Sequence, residues 1–338
     1  MIDSSHTNGN FELIETVRFS VYSLVKRYTY LSDRLKIFTK EGQIDFNSPQ
    51  VLSAIQTDIE KSRINRERIL HSDDISLIQS ILNSDNFKEI KNELNFDYDV
   101  NRYKLRETFL SALNLDTRFD LNDLHLIGIK SNFKTESFGK QHLENKFNLL
   151  GNLTLQSNIK DFHSEYDKFI TEIILPHLSK TLVSEVKFYC QNFPCIRVVQ
   201  PSEFSIGPHS DISYGFSQAN INFYLPLTNL YGTNSLVIES SPGKEDWHII
   251  KGDYGMVKRF YGALCIHFTP ENTTSHTRVS LDFRAVPGSC WNVDHDQFTR
   301  KSGYYNCYYK ENSSWIRQEK VLNMPDYRVG FPFTNKKV

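Results

Sequence analysis

The sequence lacks the features of a membrane protein, a disulfide scaffold and a general nucleic-acid binder. No stretch is apolar for the length a bilayer demands, and the opening MIDSSHTNGNFELIE is acidic and polar where a secretory leader is basic and then apolar. A soluble, cytoplasmic protein is expected, with no membrane partner. The five cysteines (Cys190, Cys195, Cys265, Cys290, Cys307) are odd in number and include no CxxC pair, which fits reduced, buried thiols rather than a disulfide framework or a zinc site. Charge of one sign is missing too: 39 Lys and Arg face 40 Asp and Glu, so no overall basic field draws nucleic acid. There is no internal repeat, and GTNSLVIESSPG has too few glycines, wrongly spaced, for a phosphate loop.

What is present is an ordinary globular composition of 338 residues, 39% hydrophobic and 13% aromatic, enough for one large domain with a helical elaboration or two smaller ones. From Phe11 to about Leu115 the apolar spacing is helical, with Leu13, Val17, Val21, Leu24 and Val25 at three- and four-residue steps. Further helices are predicted at 49–60, at 74–83 behind Ser72-Asp73-Asp74, and at 102–114. The basic run KSRINRER reads as a solvated helix face. Residues 120–155 carry no clear pattern. The stripe Phe162, Tyr166, Phe169, Ile170, Ile173 predicts a helix from about Ile159 to Val186, kinked or divided at Pro176.

After Pro194 the pattern changes to short alternating segments: CIRVVQ, INFYLPL, SLVIES, YGMVKRF, GALCIHF and TRVSLDFRAV. Strands so closely spaced point to a sandwich or jelly-roll barrel rather than a βαβ sheet. The expected class is therefore α+β. A mainly helical region spans 1–150, a barrel core with its leading helix 151–290, and an aromatic-rich extension 291–338, where GYYNCYYKENSSW is expected to pack over the barrel.

The chemistry centres on GPHSDIS. On a strand or strand edge His209 and Asp211 send their side chains to one side, so two ligands converge. Imidazole and carboxylate together suit Fe(II), and two His plus one carboxylate on one octahedral face leave three positions open. The second His is either His267 in GALCIHF or His276 in NTTSHTRVS. The context favours His267, which closes a strand with Ala263 and Cys265 on its own face, whereas His276 follows a polar turn and stands two residues from Arg278. Arg278 and Ser280 form an Arg-x-Ser pair facing one way, and a guanidinium fork beside a hydroxyl suits a carboxylate held in one pose. Asn222 and Tyr224 share a strand face as pocket candidates. Tyr214, Asn234 and Arg197 flank the metal motif, and Arg284 meets either a substrate anion or Asp282.

The order His-x-Asp, distal His, following Arg resembles the iron- and 2-oxoglutarate-dependent oxygenases of the double-stranded β-helix (jelly-roll, cupin-like) fold. The run HSDISYGFSQANINFYLPLTNLYGTNSLVIES, then GALCIH and NTTSHTRVSLDFR, is similar to the oxygenase-like family associated with streptomycin biosynthesis, over about residues 194–287. The resemblance implies iron ligands at His209, Asp211 and His267, and 2-oxoglutarate anchored by Arg278 and Ser280, with Asn222 and Tyr224 beside it. It implies Fe(II), 2-oxoglutarate and O2 as cofactors, and a small-molecule substrate, with a homodimer as the assembly allowed for. Because Asp211 keeps a carboxylate where halogenating relatives do not, it implies hydroxylation or a related oxidation. Phe268, where relatives often place a small residue, is expected to narrow the site. Two readings compete with it: a catalytically silent barrel that only binds, and a cupin-like metalloenzyme that uses no 2-oxo acid.

Overall fold

Strand β9 (Arg278–Pro287) is the longest among the described residues and organises the rest. In this computed structural model, which describes residues 59–64, 66–67, 79–127, 159–201, 206–270, 272–291 and 305–318, β9 pairs along one edge with β4 (Ile221–Pro226). Its other edge is shared, β3 (Cys195–Val199) taking the first half and β2 (Lys187–Gln191) the second. The antiparallel sheet has eight strands in the order β1-β7-β4-β9-β2-β10-β11, with β3 attached to β9; the added strands are β1 (Leu94–Asp97), β7 (Met256–Phe260), β10 (Tyr305–Glu311) and β11 (Ser314–Arg317). A second, three-stranded antiparallel sheet runs β6-β5-β8, from β5 (Val237–Ile238), β6 (His248–Ile249) and β8 (His267–Phe268).

Alternation sets the two faces of the large sheet. Val279, Leu281, Phe283 and Ala285 of β9 join Ile221, Phe223 and Leu225 of β4 in a core shared with the helices, where Tyr166 meets Phe283 edge-on at 5.4 Å. The opposite face carries Arg278, Ser280, Asp282 and Arg284, all but Asp282 buried, and looks towards a smaller cluster of Tyr224, Leu230, Leu236, Ile238, Ile250, Met256 and Phe260. A strand buried on both faces, one of them charged, is where a site is to be sought.

The long helix divides where proline demands it. Ile159–Phe169 is α-helical, Ile170–Ile174 forms a π turn, and Leu175–Thr181 resumes with Pro176 in its first turn, because proline has no N–H for the ladder. The helix ends at Thr181, short of the expected Val186, and Val183 and Val186 are exposed. Gln79–Leu82 lies inside the helix expected at 74–83, whose first residues fall outside the described ones; a further helix, Asp85–Lys91, capped by Ser84, follows it, and Leu105–Ala112 lies inside the 102–114 prediction.

Several expectations are corrected. The helical pattern up to Leu115 is broken by β1, whose largely exposed LNFD is held by pairing with β7, a tertiary contact that overrides local spacing. In GALCIHF only His267 and Phe268 are strand; Ala263–Cys265 form a turn. The aromatic tail becomes the hairpin β10–β11 and extends the sheet through β2. In KSRINRER, residues 59–64 and 66–67 being helical, Ser62 and Arg66 are buried rather than solvated. The helices expected before residue 59 and the segment 128–158 lie outside the described residues. Among the described residues no helix is long and apolar enough to cross a membrane. All five cysteines are free, and burial pushes their thiols up.

Candidate metal centre

His209 and His267 face each other across a single antiparallel bridge, each N–H donating to the other's carbonyl at 3.1 and 2.9 Å. Two residues on, the Asp211 N–H donates to the Gly262 carbonyl (2.9 Å), and Asp211–Tyr214 turn as a 3-10 helix closed by Gly215 at φ +83°. The two-residue spacing thus converges from a strand edge into a turn. Gly262 has no room for a side chain, since a Cβ there would sit 2.7 Å from the Asn222 amide.

The ligand atoms of His209, Asp211 and His267 lie within 4.8 Å of one another, and all three residues are buried. Each imidazole has one fate settled by a carbonyl, which only accepts: His209 Nδ1–H donates to Gly207 O (2.8 Å) and His267 Nδ1–H to Cys265 O (3.0 Å). The lone pairs of both Nε2 atoms are therefore left facing Asp211 Oδ1, at 3.8 and 3.7 Å. Burial holds both imidazoles neutral, His209 well below its ordinary range and further depressed by His267, so neither needs to lose a proton to bind a metal.

Asp211 is fully buried, which alone would push its carboxyl up. The Arg284 guanidinium overrides this, donating from Nε to Oδ2 (2.7 Å) and from Nη2 to Oδ1 (3.0 Å), and holds the acid well below the usual carboxylate range. The Asn222 amide adds a bond to Oδ2 at 2.7 Å. Arg284 therefore takes Asp211, not Asp282, as its close partner; Asp282 is 3.7 Å away and is held by Arg197 at 2.5 Å. The sequence offered Arg284 only a substrate anion or Asp282; the pairing with Asp211 emerges from the register of β4 against β9, which sets Asn222, itself bonded to Asp211, opposite Arg284.

A cavity of about 400 Å3, counting its mouth, opens beside this cluster between the two sheets. Arg197, Asn222, Tyr224, Arg278, Asp282 and Arg284 line it with His209 and His267, and Ile206, Leu236, Phe260 and Thr269 complete the wall. Arg278 is 1% exposed; its Nη1 donates to Asn234 O (3.0 Å), its Nε–H has no acceptor, and among the described residues no carboxylate is within ion-pair reach. Burial accordingly lowers its pKa. The hydroxyls of Ser280, Tyr224 and Thr269 and the Asn222 carbonyl oxygen are buried without a hydrogen-bond partner. Tyr214 packs edge-on to His209 (5.0 Å). His276 stays outside, hydrogen-bonded to Tyr231 at a half-exposed turn, and Phe268, alternating with His267, turns to Trp247 rather than narrowing the cavity. The apolar wall residues Ile206, Leu236 and Phe260 were not singled out from sequence, because nothing distinguishes a pocket-lining apolar residue from a core one.

The donor set fits Fe(II), 2-oxoglutarate and O2: two neutral imidazoles, one carboxylate, and an anion-seeking Arg278 in the same cavity. No family model matches the chain. A solved non-haem α-ketoglutarate-dependent epimerase from nogalamycin biosynthesis, SnoN, aligns at 9% identity over 76% of this chain and 86% of its own, with a TM-score of 0.33. A 2OG-Fe(II) oxygenase family oxidoreductase from Burkholderia pseudomallei aligns at 18% identity over 45% and 61%, with a TM-score of 0.26. Streptomycin biosynthesis protein StrG of Streptomyces griseus is 32% identical over 128 residues, 38% of this chain and 59% of that protein. The chain thus spans about three fifths of the length of that curated relative, a streptomycin biosynthesis protein to which it is similar.

Proposed function

We propose that the protein is a non-haem Fe(II)- and 2-oxoglutarate-dependent oxygenase that hydroxylates, or otherwise oxidises, a small-molecule metabolite of a biosynthetic pathway, its two sheets forming a double-stranded β-helix. The observation that carries this reading is Arg278. A buried guanidinium with an unused donor and, among the described residues, no carboxylate partner, in the same cavity as a His-Asp-His cluster, calls for an anion long enough to reach both. A five-carbon 2-oxo diacid meets both demands, one carboxylate at Arg278 and the 2-oxo acid end at the metal.

In this reading His209, Asp211 and His267 hold the metal, and Arg284 with Asn222 fixes Asp211. Arg278, Ser280 and Tyr224 orient the distal carboxylate of the cosubstrate. When bound, Fe(II) and 2-oxoglutarate supply the O2-dependent oxidation. The apolar wall of Ile206, Leu236 and Phe260 keeps water from the reacting centre. Residues 1–150 are assigned to shaping the substrate entrance. StrG supports the biosynthetic setting through its name alone.

The test is succinate release with added Fe(II) and 2-oxoglutarate, screened across amino acids, sugars, nucleosides and peptides. Uncoupled succinate formation by the wild type, lost in His209→Ala and Asp211→Ala and kept in His276→Ala, is expected. Arg278→Ala should raise the 2-oxoglutarate requirement on the order of ten- to a hundred-fold, the loss of a charge-assisted contact. Metal binding without succinate in any condition would favour a metalloenzyme that uses no 2-oxo acid.

A further inference from the structure

The stretch KSRINRER has the composition of a solvated helix face, yet Ser62 and Arg66 are 5% and 6% exposed. They stand four residues apart, one above the other on one face of the 59–67 segment. Ser62 Oγ–H donates to the Pro208 carbonyl (2.8 Å), on the residue before His209. Arg66 Nη1 donates to the Leu264 carbonyl (2.9 Å) and to Glu239 Oε1 (3.1 Å). That same Glu239 oxygen accepts the N–H of Ile266 (2.7 Å), the residue before His267, and its Oε2 accepts the Glu245 N–H (3.0 Å). One face of one helical turn therefore reaches the backbone immediately upstream of both histidines.

The histidine-bearing segments have little ladder of their own. His209 belongs to a single isolated bridge, and β8 is two residues long after a non-repetitive turn. A buried ion pair is a costly way to fill space, and apolar residues of the same volume pack at least as well. What the pair does that apolar residues cannot is fix two particular backbone groups, Leu264 O and Ile266 N–H. We infer that Ser62 and Arg66, acting in part through Glu239, are positioning residues for the imidazoles of His209 and His267, so that the N-terminal region is part of the metal centre. The inference rests on the reading of His209, Asp211 and His267 as metal ligands.

The test is Co(II) binding to the full chain, by competition with a chelator and by the visible absorption of bound Co(II), at temperatures below every variant's unfolding transition. Arg66→Gln should weaken Co(II) binding about ten-fold, the lower end for outer partners of a metal site, and change the shape of the absorption bands. Ser62→Ala should shift both in the same direction by less. Arg63→Ala, whose ion pairs among the described residues are with Glu60 and Glu245, should leave both unchanged. A purely structural brace would lower the unfolding temperature and leave affinity and spectrum as they were, and that result overturns the inference; should Arg66→Gln not fold, Ser62→Ala decides. Wild-type binding that vanishes in His209→Ala yet is unchanged in Ser62→Ala and Arg66→Gln sinks this inference alone. A wild type that binds no Co(II) sinks the metal-ligand reading with it.

Discussion

At the His209 end of the cavity each ligand side chain arrives with its remaining polar atoms occupied, whereas at the Arg278 end they are left open. His209 and His267 each spend Nδ1–H on a carbonyl, and both Asp211 oxygens receive bonds from Arg284 or Asn222. A few residues along β9 the Arg278 Nε–H and the hydroxyls of Ser280 and Tyr224 are buried without partners, although Ser280 lies near enough to Tyr224 to influence its phenol. The His209-Asp211-His267 end is thus complete in its polar contacts, while the Arg278 end keeps donors that a ligand would complete. Preorganised ligands keep their geometry when empty, while unmet polar groups store free energy that an anion releases on binding.

The sharpest way to break that comparison is to neutralise one arginine at each end. Arg284→Met leaves Asp211 buried without its cation, and breaking a buried pair in this way costs about 3–5 kcal/mol of unfolding free energy, read in denaturant. Arg278→Met acts in the opposite direction. Burial lowers the Arg278 pKa, so the folded state disfavours its charged form; at neutral pH, where arginine is charged folded or unfolded, that is a net cost to stability. Losing the bond to Asn234 O offsets part of the relief, so the ligand-free protein should gain on the order of 1 kcal/mol. Equal destabilisation by both substitutions would mean that the Arg278 end is satisfied after all.

Much of the His209-Asp211-His267 cluster was legible in the sequence because its geometry is local. His-x-Asp needs only the two-residue period of an extended chain, and His267 outcompeted His276 on strand context, although the strand proved two residues long. The alternation of TRVSLDFRAV announced β9, and the polar residues on its charged face announced a pocket. What stayed hidden depends on register and on distant segments. Whether Arg284 meets Asp211 or Asp282 is decided by how β4 slides against β9, and a slip of one residue would turn every side chain to the other face. Ser62, Arg66 and Glu239 are separated from the histidines by long stretches of chain, and a basic helix gives no local sign that one face is buried. The helical period likewise carried no warning of β1, which exists because β7 offers it an edge.

Ser280→Ala probes the same contrast with the smallest expected effect. The Ser280 hydroxyl is buried without a hydrogen-bond partner, so deleting it relieves a desolvated group that stabilises no part of the ligand-free fold; the unfolding free energy should stay level or rise by up to about 1 kcal/mol. The loss should surface only when the diacid is present. At a 2-oxoglutarate concentration about 100 times its Kd, mass action stabilises the wild type by roughly 2.7 kcal/mol. Removing one hydrogen bond to a carboxylate should cut this by about 1.5 kcal/mol, a Kd about ten-fold weaker, seen as a smaller ligand-induced rise in Tm without oxygen. A variant that loses stability without ligand and binds the diacid as before would show that the hydroxyl serves the fold, and Arg278 would then stand alone as the group awaiting an anion.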